Sequence, residues 1–345
     1  MGAESLGKGI RGGAQRWTVS RTAGILVILA LALYPVLSKE IFHLTILNEV
    51  LVFAIFAMSL DLLLGYTGLV SFGHAAYFAA GGYAAGLVAK HLSQNFLVTL
   101  TAGVLAAVFF AFLIGLFAVR TSGINFIMVT LAFAQMVYAY VYRARNLTGG
   151  SDGLSGIPRP YLGVPGIPLT DKVQFYYLTL VFFIICYLLL SWLVRSPLGR
   201  SFVGIRENEA RMRSLGYNVR QLKLISFIIG AGFAGVGGVL FTHFNNFIGP
   251  EQTFWGTSAM VMIMVILGGT GTLAGPALGA AVFLVVRNVL SYYTTHWHLI
   301  MGLLFIAFVM FAPQGIFGLG RSLGRLSGEL GGRKETPPKP ASGGA

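Results

Sequence analysis

The sequence predicts an all-α fold, a polytopic helical membrane protein of about ten transmembrane or re-entrant helices with both termini cytoplasmic. Three observations carry this. Of 345 residues, 56% are hydrophobic and only 10% are charged, whereas a soluble domain carries about a quarter charged residues. The mean hydropathy is +0.77. The apolar residues also fall into runs of the length needed to cross the hydrocarbon core, about 20 residues of helix.

The candidate spans are 22–37, 44–64, 69–89, 97–118, 123–141, 175–194, 224–241, 256–269, 271–290 and 298–313. The first follows a polar, Gly-rich segment, 1–21, with Lys8, Arg11, Arg16 and Arg21. That pairing is similar to a signal peptide, but no clear small-residue cleavage site follows, so 22–37 reads as a retained span. The run at 256–269 is short and Gly-terminated, which suits a re-entrant or broken helix. The ending, 321–345, is rich in Gly, Pro and Ser without apolar periodicity, and composition predicts a disordered tail. The single cysteine, Cys186, lies inside an apolar run, so no intrachain disulfide and no cysteine-based metal site is expected.

The net charge of +13 orients the chain. Segment 195–223 carries Arg195, Arg200, Arg206, Arg211, Arg213, Arg220 and Lys223 against Glu207 and Glu209. The tail and segment 1–21 are basic as well. Cytoplasmic loops concentrate Lys and Arg, and six candidate spans before 195–223 with four after it put all three segments on one side. The 142–174 loop then lies outside. The basic residues form no continuous face, so nucleic acid is not an expected partner.

Two stretches place Gly, Ser, Thr and helix breakers within apolar sequence. One runs from Gly65, Tyr66 and Gly68 through Ser71 and Gly73 to His74; the other is Gly268, Gly269, Thr270 and Gly271. Unwound backbone at membrane depth is tolerated only against protein or a water-filled cavity, and interrupted helices in the two halves of a transporter mark substrate paths. Tight packing through small residues is the other reading, since Gly271, Gly275 and Gly279 form one ladder and Gly82 and Gly86 another. Asp61, within a span, is read either as a cavity-lining or gating carboxylate or as a helix-end residue near the cytoplasmic interface. His74 fits a structural hydrogen bond better than a substrate contact. His296 and His298 are two residues apart at a predicted interface and make a poor metal pair. Residues 230–235 match GxGxxG, but inside an apolar run without the strand, helix and acidic residue of a nucleotide site. No GxxxxGK[ST] occurs, so no ATPase site is expected in the chain.

Segment 195–223 is the most informative stretch. A helix is predicted near 203–214, with Glu207–Arg211 and Glu209–Arg213 as i,i+4 pairs in the favourable order. Phe202, Ile205, Met212 and Leu215 supply an apolar stripe, and Gly199 and Gly216 bracket the helix. Such a helix suits either docking to a soluble partner or lying on anionic lipid.

Here the chain resembles the branched-chain amino-acid ABC permeases, M-type subunit. The resemblance rests on an ordered set: Leu64-Gly65-Tyr66-Thr67-Gly68, Ser71-Phe72-Gly73-His74-Ala75, Thr148-Gly149-Gly150-Ser151-Asp152-Gly153, Ser196-Pro197-Leu198-Gly199-Arg200 followed by Ile205-Arg206-Glu207-Asn208-Glu209-Ala210 and Ser214-Leu215-Gly216, then Leu267-Gly268-Gly269-Thr270-Gly271-Thr272 and Pro313-Gln314-Gly315. It covers roughly 45–320. It implies a bacterial inner-membrane importer in which this chain pairs with an H-type permease, two ATPase subunits and a periplasmic binding protein. It makes 195–223 the cytoplasmic coupling loop, with Arg200, Arg206, Glu207, Asn208, Glu209, Arg211 and Gly216 as candidate ATPase contacts. ATP and Mg would be used by the partner subunits, and no cofactor or metal is expected on this chain. Urea and short-chain amide permeases are close relatives; Gly153-Leu154-Ser155-Gly156-Ile157-Pro158 points to the amino-acid branch. A stand-alone channel or secondary carrier would more often show several intramembrane ionisable groups, and a membrane enzyme a convergent set of titratable groups.

Overall fold

The computed structural model describes residues 26, 28–35, 40–163, 169, 171–311 and 315–316. The expectations for 1–21 and 321–345 lie outside them. The described chain is almost wholly helical: α1 (28–35), then α2 (Ile41–Asp61), α3 (His74–His91), α4 (Phe96–Ala118), α5 (Ile124–Arg143), the single turn α6 (Arg145–Thr148), α7 (Lys172–Arg195), α8 (Pro197–Glu207), α9 (Glu209–Ser214), α10 (Val219–Asn245), α11 (Trp255–Gly268), α12 (Ala274–Tyr293) and α13 (Trp297–Phe311). Each of the ten candidate spans overlaps an apolar helix among the described residues. Six of these helices are long and apolar enough to cross a membrane.

The helices sort by how much of their surface is covered. α2 is buried on every side from Leu51 to its end, so it is the central helix. α4 buries only Phe96, Thr99, Gly103, Ala107, Ala111, Ile114, Gly115 and Ala118, a small-residue stripe at three- and four-residue spacing, while Leu105, Phe109 and Phe117 on its other face are exposed. An apolar outer face of this kind is stable only against lipid or another membrane protein.

α3 and α10 lie parallel against each other and α4. Close approach, not side-chain volume, holds them. A β-carbon on Gly238 would meet the Phe78 carbonyl of α3, and one on Gly81 would meet the backbone of Gly235 in α10. Without a hydrophobic drive between helices in lipid, such backbone contacts supply the packing energy. The GxGxxG match is thus part of α10, with Gly230 against Leu63 and Gly235 against Ala107. The Gly275–Gly279 ladder likewise packs α12 onto the end of α11, against the backbone of Gly268 and Met264.

Two elements depart from a plain bundle. α2 ends in a π-helical turn, Leu62–Thr67, closed by Gly68 in a left-handed backbone; 68–73 has no regular structure, and α3 starts only at His74. α11 is an unbroken helix of 14 residues, about 21 Å long by its rise, and so shorter than the core. At the opposite end, Leu154–Ser155 pairs antiparallel with Phe247–Ile248, tying the 142–174 loop to the α10–α11 connection. Gly149, Gly150 and Gly153 have φ of 79°, 63° and 71°, a left-handed backbone that glycine adopts without strain; a side chain at Gly153 would also meet the Ile248 carbonyl.

Gly238→Ala is therefore expected to lower the thermal midpoint of the detergent-purified protein sharply, since the clash is with backbone; overpacking costs about 1–3 kcal/mol or more. Gly232→Ala, whose β-carbon would sit 3.5 Å from Val108 in ordinary contact, should leave the midpoint within a few degrees of wild type, or above it because Ala favours helix by about 1 kcal/mol.

Candidate functional site

The sequence-predicted path residues divide into two separate clusters. The first lies at the end of the bundle that carries α8 and α9. Asp61, the last residue of α2, is fully buried. Its carboxylate accepts from the Gly271 N–H at 2.8 Å and from the Leu273 N–H at 3.4 Å, the backbone just ahead of α12. A helix start has unpaired N–H groups and a positive dipole end, so a carboxylate is the fitting partner. Leu273 itself has φ 50°, a conformation costly for a branched side chain. Gly65, one turn after Asp61, touches both the carboxylate and the Gly271 N–H, and any β-carbon there would overlap them. The Arg206 guanidinium of α8 donates to the Gly65 carbonyl, and its stem packs on Gly68. Gly315 closes the cluster by resting on the backbone of Gly268 and Gly269.

Tyr66, Gly268 and Gly269 are buried in this cluster, whereas Thr270 is exposed at the tip of the α11–α12 turn. For Asp61 the structure matches the helix-end reading in part. It is a helix-end residue, but a wholly buried one, and its partner is backbone.

The second cluster lies deeper in the bundle and holds the start of α3. Ser71 and Gly73 are buried. The Phe72 N–H donates to Thr130 Oγ1 of α5 at 3.3 Å, and the Ala75 N–H donates to Ser258 Oγ of α11 at 2.8 Å. His74 is fully buried; its Nε2 lies 2.9 Å from Ser59 Oγ, and its ring stacks on Phe56. That is the structural role the sequence favoured. Beside it, rings follow one another from Phe72 to Trp255, Phe254, Tyr138 and Tyr142, with centroids 6.3, 5.4, 5.3 and 5.8 Å apart. Phe254, Trp255 and Tyr142 are exposed.

Segment 195–223 forms two helices rather than one. Asn208 breaks the predicted 203–214 helix: its backbone is extended, and its side chain caps α9 by accepting from the Arg211 N–H at 2.9 Å. The break removes the Glu207–Arg211 pair, and Glu207 is exposed without a hydrogen bond or ion pair among the described residues. Glu209–Arg213 forms at 2.5 Å, and Glu209 gains a second, unforeseen partner, the buried Lys223 of α10 at 2.7 Å. Phe202, Ile205 and Met212 face the bundle as expected, but Leu215 is exposed. Gly199 does not bracket a helix; it lies within α8 against the α7 carbonyls of Leu193 and Val194. Gly216, with φ 86°, does follow the end of α9. Arg200, Arg211 and Gly216 are exposed.

Three features escaped the sequence reading. Thr130 and Ser258 lie in apolar helices and carried no motif. Glu49 and Arg287, both inside candidate spans, pair at 2.7 Å between α2 and α12; intramembrane charges are stable as mutual partners, and each alone in sequence gives no sign of the other.

Burial tends to raise the Glu209 carboxyl, but the hydrogen bonds and charges of Lys223 and Arg213 outweigh it and hold its pKa below the usual glutamate value of 4.5. A lowered folded pKa means stability that is present above pH 4.5 and lost as pH falls through the folded value. Hydrogen exchange in 209–214 should therefore speed up as pH drops below 4.5, after correction for intrinsic rates, and Glu209→Gln should remove that pH dependence.

A sequence profile described as "Branched-chain amino acid transport system / permease component" matches residues 42–311. The chain is 30% identical to the high-affinity branched-chain amino acid transport system permease protein LivM of Escherichia coli (strain K12), over 79% of this chain and 69% of that protein. It is 23% identical to the corresponding LivH protein of Salmonella typhimurium, over 77% and 91%. It is 30% identical to the autoinducer 2 import system permease protein LsrC of Salmonella choleraesuis (strain SC-B67), over 32% and 33%. No solved structure matches. A multi-pass helical protein with this profile over most of its length belongs to the branched-chain amino acid transport system permease family of ABC transporters.

Proposed function

We propose that this chain is the M-type permease subunit of a binding-protein-dependent ABC importer in a bacterial inner membrane, moving branched-chain or related hydrophobic amino acids by alternating access. The observation that carries the reading is the family match over 42–311, together with an exposed, charged helix pair, α8–α9, of which α8 sits on the π-helical end of α2 through Arg206. The proposed partners are an H-type permease, two ATPase subunits and a periplasmic binding protein. α8 and α9 are the cytoplasmic docking element, the 142–174 loop is periplasmic, and ATP is hydrolysed by the partner subunits.

In this mechanism, ATPase closure displaces α8, and α8 moves the interrupted segments it touches. A ligand shifts such an equilibrium only by its differential affinity for the two states, so the permease would hold substrate weakly while the binding protein sets selectivity. The second cluster, around Ser71, Gly73 and His74, is the better candidate for the path, because its rings from Phe72 to Tyr142 offer partly open apolar surface to an aliphatic side chain. The glycines at 65, 268 and 271 support a mechanical role instead, since a β-carbon at each would meet another chain segment.

Glu207 is the cleanest probe of docking. Because Glu207 has no partner among the described residues, Glu207→Lys should leave insertion and thermal stability unchanged while reducing ATPase co-purification; losing a central interface contact costs about 2 kcal/mol or more. Unchanged ATPase association in Glu207→Lys, Arg200→Glu and Arg211→Glu alike would refute the docking surface. A cysteine replacing Asn208 should be labelled only from the inner face; labelling from outside intact cells would overturn the topology.

A further inference from the structure

The Asp61 cluster joins three elements far apart in sequence: the end of α2, the start of α12 and the solvent-facing helix α8. We propose that Asp61 is a positioning residue that relays movement of α8 to α12, with the π-helical turn at 62–67 as the moving joint. The carboxylate binds the Gly271 and Leu273 N–H groups. The next turn is a π-helix, whose Gly65 carbonyl is held by Arg206. Gly65 touches Asp61 and Gly271 at once, so the joint and the α12 start share one contact surface.

The chemistry explains each residue type. Gly271, at φ 74°, turns its N–H toward the carboxylate, and Leu273 holds a strained backbone beside it. Such strain persists only where surrounding contacts over-determine it, and here the carboxylate supplies them. Without Asp61, two N–H groups at the α12 start would lack partners in a buried site, where each unmet group is costly. Arg206 is exposed as a residue, yet its guanidinium reaches the buried joint. It is thus the one described side chain of α8 that hydrogen-bonds to an α2-derived carbonyl. An element that displaces α8 pulls on Gly65, and Gly65 cannot shift without disturbing the Asp61–Gly271 contact.

The structural part of the relay is testable on the purified permease, by hydrogen exchange at 271–275. Asp61→Asn keeps shape but turns an amide donor toward another N–H. It should accelerate exchange there by about tenfold or more, the effect of losing a hydrogen bond to a charged group. Arg206→Gln, distant in sequence, should accelerate the same amides, and Arg206→Lys should restore part of the protection. Arg213→Gln, whose partner is Glu209, should leave them unchanged. If Arg206→Gln leaves 271–275 at the wild-type rate, the relay is wrong. The coupling part rests on the importer reading and is tested in the reconstituted complex. There, Asp61→Asn should lower substrate imported per ATP hydrolysed by about fivefold or more while ATPase association is retained, since about 1 kcal/mol of coupling corresponds to that factor. A normal ratio in a fully assembled complex would overturn the coupling role. Failure of the wild-type permease to associate with any ATPase would instead refute the importer reading and leave the exchange result standing.

Discussion

The contact on which most of this structure depends is the Asp61 carboxylate against the backbone ahead of α12. A helix that breaks inside a bilayer frees N–H and C=O groups that lipid cannot satisfy. The chain breaks twice, after α2 and between α11 and α12. Bringing the breaks together lets one carboxylate serve the second break and lets Arg206 serve the first. The neighbouring glycines follow from that choice, because backbones sharing one carboxylate must approach more closely than side chains allow.

The same constraint acts at the start of α3. There the freed N–H groups at Phe72 and Ala75 go to hydroxyls on α5 and α11. Two solutions to one problem thus sit at two depths, an ionic one near the α8–α9 end and a neutral one within the bundle. The difference suits their places. A carboxylate can be matched by a cation reaching in from solvent, whereas deep in the bundle a Ser or Thr hydroxyl satisfies an N–H without the cost of burying charge.

Packing elsewhere is backbone against backbone. α3, α4 and α10 meet at Gly81, Gly103, Gly235 and Gly238, leaving bulky Leu and Phe residues to face outward from α4. Aromatic rings fill the remaining gaps around α2, where Phe56 stacks on Phe78 with centroids 4.5 Å apart. Two ion pairs, Glu49–Arg287 and Glu209–Lys223, join neighbouring helices.

The sequence by itself determined the fold class, the positions of the helices and the two interrupted stretches. These are properties of local composition: an apolar run of 20 residues has few alternatives to a membrane helix, and Gly-Thr-Gly or Ser-Phe-Gly within one weakens it where it stands. It also determined that 195–223 is a charged, amphipathic segment between spans. Only the tertiary structure decided which interruptions meet. Gly65 and Gly271 are about two hundred positions apart, and nothing in either stretch states that Asp61 lies between them. The same holds for Arg206, which read as a surface charge and is pinned to Gly65, and for Asn208, whose capping split one predicted helix into two and freed Glu207. Hydrogen-bond demand created by a break is visible in sequence; the group that meets it comes from whichever helix packs alongside, and that is set by the whole bundle.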